Sequence, residues 1–181
     1  MHISLLRLFQ GTIKPVLIAQ SNQGQEQKQA EQQKSIDQQR AEIAKNQALI
    51  EELKKRNIEA RETNRGVAVN LPSVNFEFDS ADLTPEGRDR VNQIASIINR
   101  QAPNRRIAVE GHASKESAAQ EAYNQRLSER RAQTVADELG RDGIQKDQLS
   151  SHGLGTRSPV ASNDTEQGRR QNRRVEVIIE N

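Results

Sequence analysis

The hydrophobic pattern of this chain changes period at Gly66, and the two sides of that glycine imply different structures. Residues 22–65 are dominated by Gln, Glu, Lys, Asn and Ala and contain no aromatic residue. Ile36, Ile43 and Ile50 recur every seventh position, and Leu53 follows three residues after the last of them. Gln39 and Asn46 occupy the companion positions, so only half of a heptad repeat is present. The stretch reads as one long polar helix, about 65 Å if continuous. Its apolar stripe is too thin to stabilise a lone helix. Either it pairs as a weak coiled coil, giving a homodimer through residues 22–65, or it is a disordered tether.

Beyond Gly66 the apolar residues alternate. Val67, Val69 and Leu71, then Val74, Phe76 and Phe78 after Pro72, predict strands with one buried face, and Phe76 and Phe78 read as core. Thr84 is a candidate N-cap with Pro85 at the first helical position and Glu86 beside it. Val91, Ile94, Ala95 and Ile98 fall at i, i+3, i+4 and i+7, predicting an amphipathic helix that Pro103 ends. Ile107-Ala108-Val109 before Gly111 predicts a buried strand. A second helix opens at Ser117, where Ser117 and Gln120 fit a capping box, with Tyr123, Leu127, Val135, Ala136 and Leu139 on its core face and Gly140 or Gly143 at its end. Leu149 to His152 predicts a short strand, a polar loop follows, and Val175, Val177 and Ile179 alternate in a closing strand. Two β-α-β passages and a last strand give an α+β fold: a mixed sheet with helices on one face, preceded by the polar helix.

Composition narrows the chemistry. Of 181 residues, 33% are apolar and 2% aromatic, low for a chain that is globular throughout, so the second half must hold the core. The net charge of +2 gives no basis for nucleic-acid binding. There is no cysteine, which excludes disulfides, thiolate metal sites, a cysteine nucleophile and cysteine lipidation. His2, His112 and His152 lack metal-ligand spacing; His112 and His152 each end a predicted strand, and either meet as a two-histidine metal site or serve as hydrogen-bonded structural residues. No Ser-His-Asp order, Gly-rich phosphate loop or metal cluster is present, so no enzyme and no cofactor is expected. Residues 1–21 form a degenerate signal or anchor segment, because Arg7 and Lys14 interrupt the apolar run. The expected domains are therefore 1–21, the spacer 22–65, and 66–181.

The region from Ile107 to Ala132 brings a strand end, a polar loop and a cationic helix face to one place. An arginine there can grip a carboxylate through two parallel hydrogen bonds; the alternative is a plain strand-to-helix connection with solvated arginines. More specific is a set of motifs in fixed order. They are Phe78-x-Ser80-x-x-Leu83, Val109-Glu110-Gly111-His112, Asn124-x-x-Leu127-Ser128-x-x-Arg131-Ala132, Gly153-x-Gly155, and Asn163-Asp164-Thr165-x-x-Gly168-Arg169-x-x-Asn172-Arg173-Arg174-Val175-Glu176. Over about residues 67–180 this set resembles the OmpA-like peptidoglycan-associating domain of porin tails, peptidoglycan-associated lipoproteins and flagellar stator subunits.

The resemblance implies an OmpA-like βαβαββ-type fold and a cell-envelope protein of the bacterial periplasm and outer membrane. It implies a non-catalytic module that anchors the envelope to the wall by binding the peptidoglycan stem peptide, usually through diaminopimelate. The free end of that residue carries an ammonium and a carboxylate on one carbon, so its site needs an anion beside a bidentate cation. By the resemblance the cation is Arg131 and Arg173 faces the same pocket beside Leu127, although Arg173 and Arg174 could equally pair with acids such as Glu176 or Asp79. Asn124 either donates to the ligand or caps local backbone, and Asp79 is either a ligand contact or a turn residue. The anion belongs at the last position of a Gly-His-Thr-Asp motif. Here that motif reads Gly111-His112-Ala113-Ser114, without its aspartate, and the loop after it is longer. Either Glu116 or Glu121 supplies the carboxylate, or Ser114 offers a neutral acceptor and the ligand is lost or changed. In the second case the chain is an oligomerising scaffold whose partners are other envelope proteins.

Overall fold

The computed structural model describes residues 10–181, of which residues 10–24 and Ala118 by their backbone path alone. The signal or anchor segment expected over residues 1–21 lies outside the residues whose side chains are described. Among the described residues no helix is long and apolar enough to cross a membrane. The chain forms two compact units, one ending at Ala44 and the other spanning Lys45–Asn181.

Helix α1 runs from Gln10 to Lys55. Within the first unit Ile36 and Ile43 are 42% and 46% exposed. The last turns of α1 belong to the second unit, where Leu49, Ile50 and Leu53 enter its core. The helix expected to reach residue 65 stops ten residues earlier, and the stop is a Schellman motif. Asn57 takes a left-handed φ of 56°, the Ile58 amide bonds the Leu53 carbonyl at 3.1 Å, and the Asn57 amide bonds that of Lys54 at 2.9 Å. The chain is thereby released into an edge strand, β1 (Ala60–Thr63), absent from the sequence reading.

Strands β2 (Gly66–Pro72), β3 (Ile107–His112), β4 (Leu149–Gly155) and β5 (Arg174–Glu180) complete a five-stranded sheet in the order β1-β2-β5-β3-β4. Only β3 and β4 pair in parallel. Helices α2 (Pro85–Gln101) and α3 (Glu121–Arg141) lie on one face, so the fold is α+β with a mixed open sheet. Their buried residues, among them Val91, Ile94, Ile98, Val135 and Leu139, join Val67, Val69, Leu71, Ile107, Val109, Val175, Val177 and Ile179 in one cluster. On the sheet's other face Ala68, Ile178 and Ala108 pair directly across three strands and form a small second cluster.

Three further elements depart from expectation. After Pro72 the backbone makes a 3-10 turn over Ser73–Asn75 instead of continuing as a strand, and only Phe76 bridges to Leu83. The alternation loses its register there: Phe76 is buried at 5% exposure, whereas Phe78, expected in the core, is 98% exposed. The capping box at Ser117 does not form. Residues Ala118–Gln120 make a 3-10 turn, α3 begins at Glu121, and Tyr123 leaves the core face for the surface, 37% exposed. The polar loop before β5 contains a short helix, α4 (Glu166–Asn172), capped by the Thr165 hydroxyl, which accepts from the Gly168 amide at 3.0 Å. The cap at Thr84 forms as expected, accepting from the Gly87 amide at 2.9 Å.

Two glycines set how close α3 comes to the sheet. A Cβ on Gly111 would lie 1.9 Å from the Ser128 carbonyl oxygen, and one on Gly153 would lie 2.6 Å from the Glu129 amide nitrogen. Only glycine permits this approach, which brings the α3 face bearing Ser128 and Arg131 to the ends of β3 and β4.

Candidate functional site

The C-terminal end of β3 opens into a cleft of about 690 Å³, lined by the Ser73–Asp79 segment, the loop after β3, the first turns of α3, and Arg173. Local hydrogen bonds build it. The Ser128 hydroxyl donates to the Gln125 carbonyl at 2.8 Å and accepts the Gly155 amide at 3.0 Å, joining α3 to the end of β4. The Ala113 amide bonds the Gly155 carbonyl at 2.8 Å, and Asn124 donates to the Ser114 carbonyl at 3.2 Å, which fixes the loop after β3 over α3.

Arg131 stands at the centre of the cleft and is 8% exposed. Its Nε donates to the Ser80 carbonyl at 2.8 Å, and its guanidinium carbon lies 5.0 Å from the centroid of the Phe76 ring. No carboxylate among the described residues is bonded to it. Burial lowers its pKa, the neighbouring Arg173 adds to that effect, and Tyr123 and Asp79 oppose it. The guanidinium stays charged regardless. A buried cation without an anionic partner, held from one side and open to a cleft, is an anion receptor in geometry.

Asp79 faces it from the turn that misplaces Phe78. Its backbone is left-handed, φ 53°, and its carboxylate accepts the Tyr123 hydroxyl at 2.5 Å. That bond raises the Tyr123 pKa. It also explains why Tyr123 left the core: the phenol positions an acid at the cleft. Ser114, 4% exposed, occupies the place where a carboxylate was expected. Glu116 reaches back toward it, with the Ser114 hydroxyl 3.4 Å from Glu116 Oε1. Arg173 donates from Nη1 to Ser114 Oγ at 3.2 Å and to Glu116 Oε1 at 3.4 Å, and from Nη2 to Glu166 Oε1 at 3.0 Å.

Seven of the eight expected site residues thus line one cleft: Asp79, Ser114, Glu116, Asn124, Leu127, Arg131 and Arg173. Glu121 does not. Its carboxylate accepts the Thr156 hydroxyl at 2.8 Å, outside the cleft. The sequence reading missed Phe76 beneath Arg131, the Ser80 carbonyl, Tyr123 as a partner of Asp79, and Glu166. The short spacing from Phe76 to Ser80 was the available signal for the first two; nothing local marks the others, which come from distant elements.

Arg174, next to Arg173, points to the opposite sheet face. It is 5% exposed and donates from Nε to Glu176 at 2.8 Å, and Arg61 donates to the same oxygen at 2.8 Å. Glu176 and Glu110 are direct cross-strand partners, a repulsive juxtaposition relieved by these arginines and by Arg65, which bonds Glu110 at 2.5 Å. His112, paired across from Arg174, is 3% exposed, and neither ring nitrogen has a hydrogen-bond partner, contrary to the hydrogen-bonded role expected of it. Burial pushes its pKa down to about 4, with Arg174 adding to the effect, so the ring is neutral at neutral pH. Ligating atoms of Glu110, His112 and Glu176 lie within 4.8 Å of one another. Three guanidiniums already answer the two carboxylates, leaving no surplus negative charge to hold a cation, so the cluster is an ion-pair network. His152 sits beside Glu110 in register, exposed on β4.

Comparison with known proteins agrees with this arrangement. Outer membrane protein A of Bordetella avium is 41% identical over 104 residues, covering 58% of this chain and 52% of the relative. Peptidoglycan-binding protein ArfA of Mycobacterium tuberculosis is 35% identical over 112 residues, 62% of this chain and 33% of the relative. Among solved structures, the cell wall anchor of the T6SS from Pseudomonas aeruginosa superposes with a TM-score of 0.63 at 26% identity, covering 74% of this chain and 97% of that one. The chain thus spans about half the length, or less, of these curated relatives. The OmpA family profile matches residues 75–173, more than half of the chain, taking in both sides of the cleft from Phe76 to Arg173. With fold, motif order and profile in agreement, this chain belongs to the OmpA family.

Proposed function

We propose that the chain is a non-catalytic cell-envelope protein whose cleft holds the free amino-acid end of a peptidoglycan stem peptide. Arg131 carries the reading: it is a buried guanidinium with no carboxylate of its own, open to a cleft large enough for a short peptide. The ligand carboxylate takes its two Nη groups. Glu116 takes the ammonium in place of the missing aspartate, with Asp79 as the second nearby acid. The peptidoglycan-binding protein ArfA and the cell wall anchor of the T6SS, both similar to this chain, support this reading. So does the outer membrane protein A of Bordetella avium, and the reading puts the chain in the cell envelope, on the periplasmic side of the outer membrane. Residues 66–181, together with the end of α1 from Lys45, form the wall-binding part, and the rest of the polar helix is the spacer.

The test is sedimentation of the full chain with insoluble peptidoglycan, with free diaminopimelate as competitor. Binding that diaminopimelate displaces, and that Glu116→Gln weakens severalfold while Glu121→Gln leaves unchanged, is the expected result. Failure to bind contradicts the reading.

The exposed Ile36 and Ile43 favour one addition, the pairing of two copies through residues 22–44. A dimer would present two wall sites at once and raise retention on the wall through avidity. Sedimentation equilibrium of wild type against Ile36→Asn/Ile43→Asn separates dimer from monomer.

A further inference from the structure

We propose that Glu166, on α4 and outside the cleft, is a positioning residue that sets the cleft's selectivity for a free ammonium; this rests on the stem-peptide reading above. Arg173 lies between two carboxylates: Nη2 donates to Glu166, while Nη1 is shared between Glu116 and, at 3.2 Å, the Ser114 hydroxyl. Its bond to Glu166 is 3.0 Å, while its approach to Glu116 is 3.4 Å, at the outer limit of a hydrogen bond. Glu166 is itself fixed. Its other oxygen accepts Arg169 at 2.8 Å and 3.2 Å, and Arg169 donates to the Asn163 carbonyl at 2.9 Å. Asn163 also accepts the Lys115 amide at 2.9 Å, so the loop carrying Ser114 and Glu116 is tied to the segment that holds Glu166. Arg173 and Arg169 together keep the Glu166 carboxyl below the usual carboxylate range, and therefore ionised.

The consequence concerns Glu116. A guanidinium free to close on one carboxylate makes two parallel hydrogen bonds and neutralises it. Glu166 withholds one arm of Arg173, and Glu116 keeps charge to offer a second cation. The ligand class that follows is an amino-acid end bearing a free ammonium and a free carboxylate on one carbon. Analogues acylated at that nitrogen, or amidated at that carboxylate, lose one of the two contacts. Without Glu166, Arg173 folds onto Glu116 and the cleft keeps its carboxylate grip while losing its ammonium grip.

The experiment has two arms on the full chain. In the first, calorimetric titration compares N-acetyl-L-alanyl-D-glutamyl-diaminopimelate, whose one free amine is that of diaminopimelate, with the same peptide acetylated on that amine as well. Wild type is expected to prefer the free amine about tenfold or more. E166Q is expected to bind both peptides alike, E166D to recover part of the preference, and E116Q to remove it with no further change on adding E166Q. An E166Q variant that keeps the preference overturns the proposal. In the second arm, without ligand, the Arg173 guanidinium resonances, assigned by their loss in R173K, are followed on introducing E116Q. They are expected to move more in the E166Q background than in wild type; equal movement overturns the division of Arg173. A wild type that binds neither peptide overturns the ligand class together with the stem-peptide reading, and the resonance arm still decides whether Glu166 holds Arg173.

Discussion

Arg131 and Arg174 are both almost wholly buried, 8% and 5% exposed, and the chain treats their charges in opposite ways. On the outer sheet face Arg174 is matched from within by Glu176, which also receives Arg61, while Arg65 answers Glu110. In the cleft Arg131 receives only a backbone carbonyl and an aromatic ring. A buried charge without a partner costs several kcal/mol, and folded proteins tolerate one where something outside the chain supplies the partner. The outer face pairs its buried cation within the chain; in the proposed function the cleft leaves its own to a ligand.

The comparison breaks most visibly when the matched side loses its anion. Glu176→Ala leaves Arg174 buried and unpaired and is expected to cost about 3–5 kcal/mol of stability, read by denaturant unfolding. His112 sharpens the same contrast by pH. It is faced by Glu110 on its own strand, Arg174 and Glu176 on β5, and Arg61 on β1. Its folded pKa lies near 4, below the unfolded value of 6.5, so its contribution is fully present above pH 6.5 and lost as pH falls toward 4. The loss is expected to reach about 3 kcal/mol, and His112→Gln should flatten the pH–stability curve between 6.5 and 5. Below that range Glu176 and Glu138, both with lowered pKa values, add losses of their own as they protonate. The smallest effect concerns the frame of the cleft. Thr165→Ala removes the α4 cap and is expected to cost about 1 kcal/mol, with faster amide exchange confined to α4.

The regular elements were legible because their signals are local. Thr84-Pro85 and the i, i+3, i+4, i+7 run from Val91 to Ile98 state a helix start and a buried face within one window, and the alternation at Val67 to Leu71 and Val175 to Ile179 does the same for strands. What escaped was conditional on distant partners. Asn57 ends α1 in a conformation expected of glycine, and β1 forms because β2 offers it an edge. Phe78 alternates as if in a strand, but the turn after Pro72 shifts its register. The cleft was legible as a set of residue types, because Asn124, Leu127 and Arg131 lie on adjacent turns of one helix. Which of Glu116 and Glu121 lines the cleft was not, since it turns on Thr156 taking Glu121 and on Arg173 and Ser114 lying within 3.4 Å of Glu116.

The central claim is that the cleft's cation awaits an external anion, and one variant tests it directly. Arg131→Met removes the charge and keeps much of the volume over Phe76. Its unfolding free energy is expected to equal or exceed that of wild type, while sedimentation with insoluble peptidoglycan weakens at least about tenfold. A variant that loses stability as Glu176→Ala does, or that sediments with the wall as wild type does, would contradict the account.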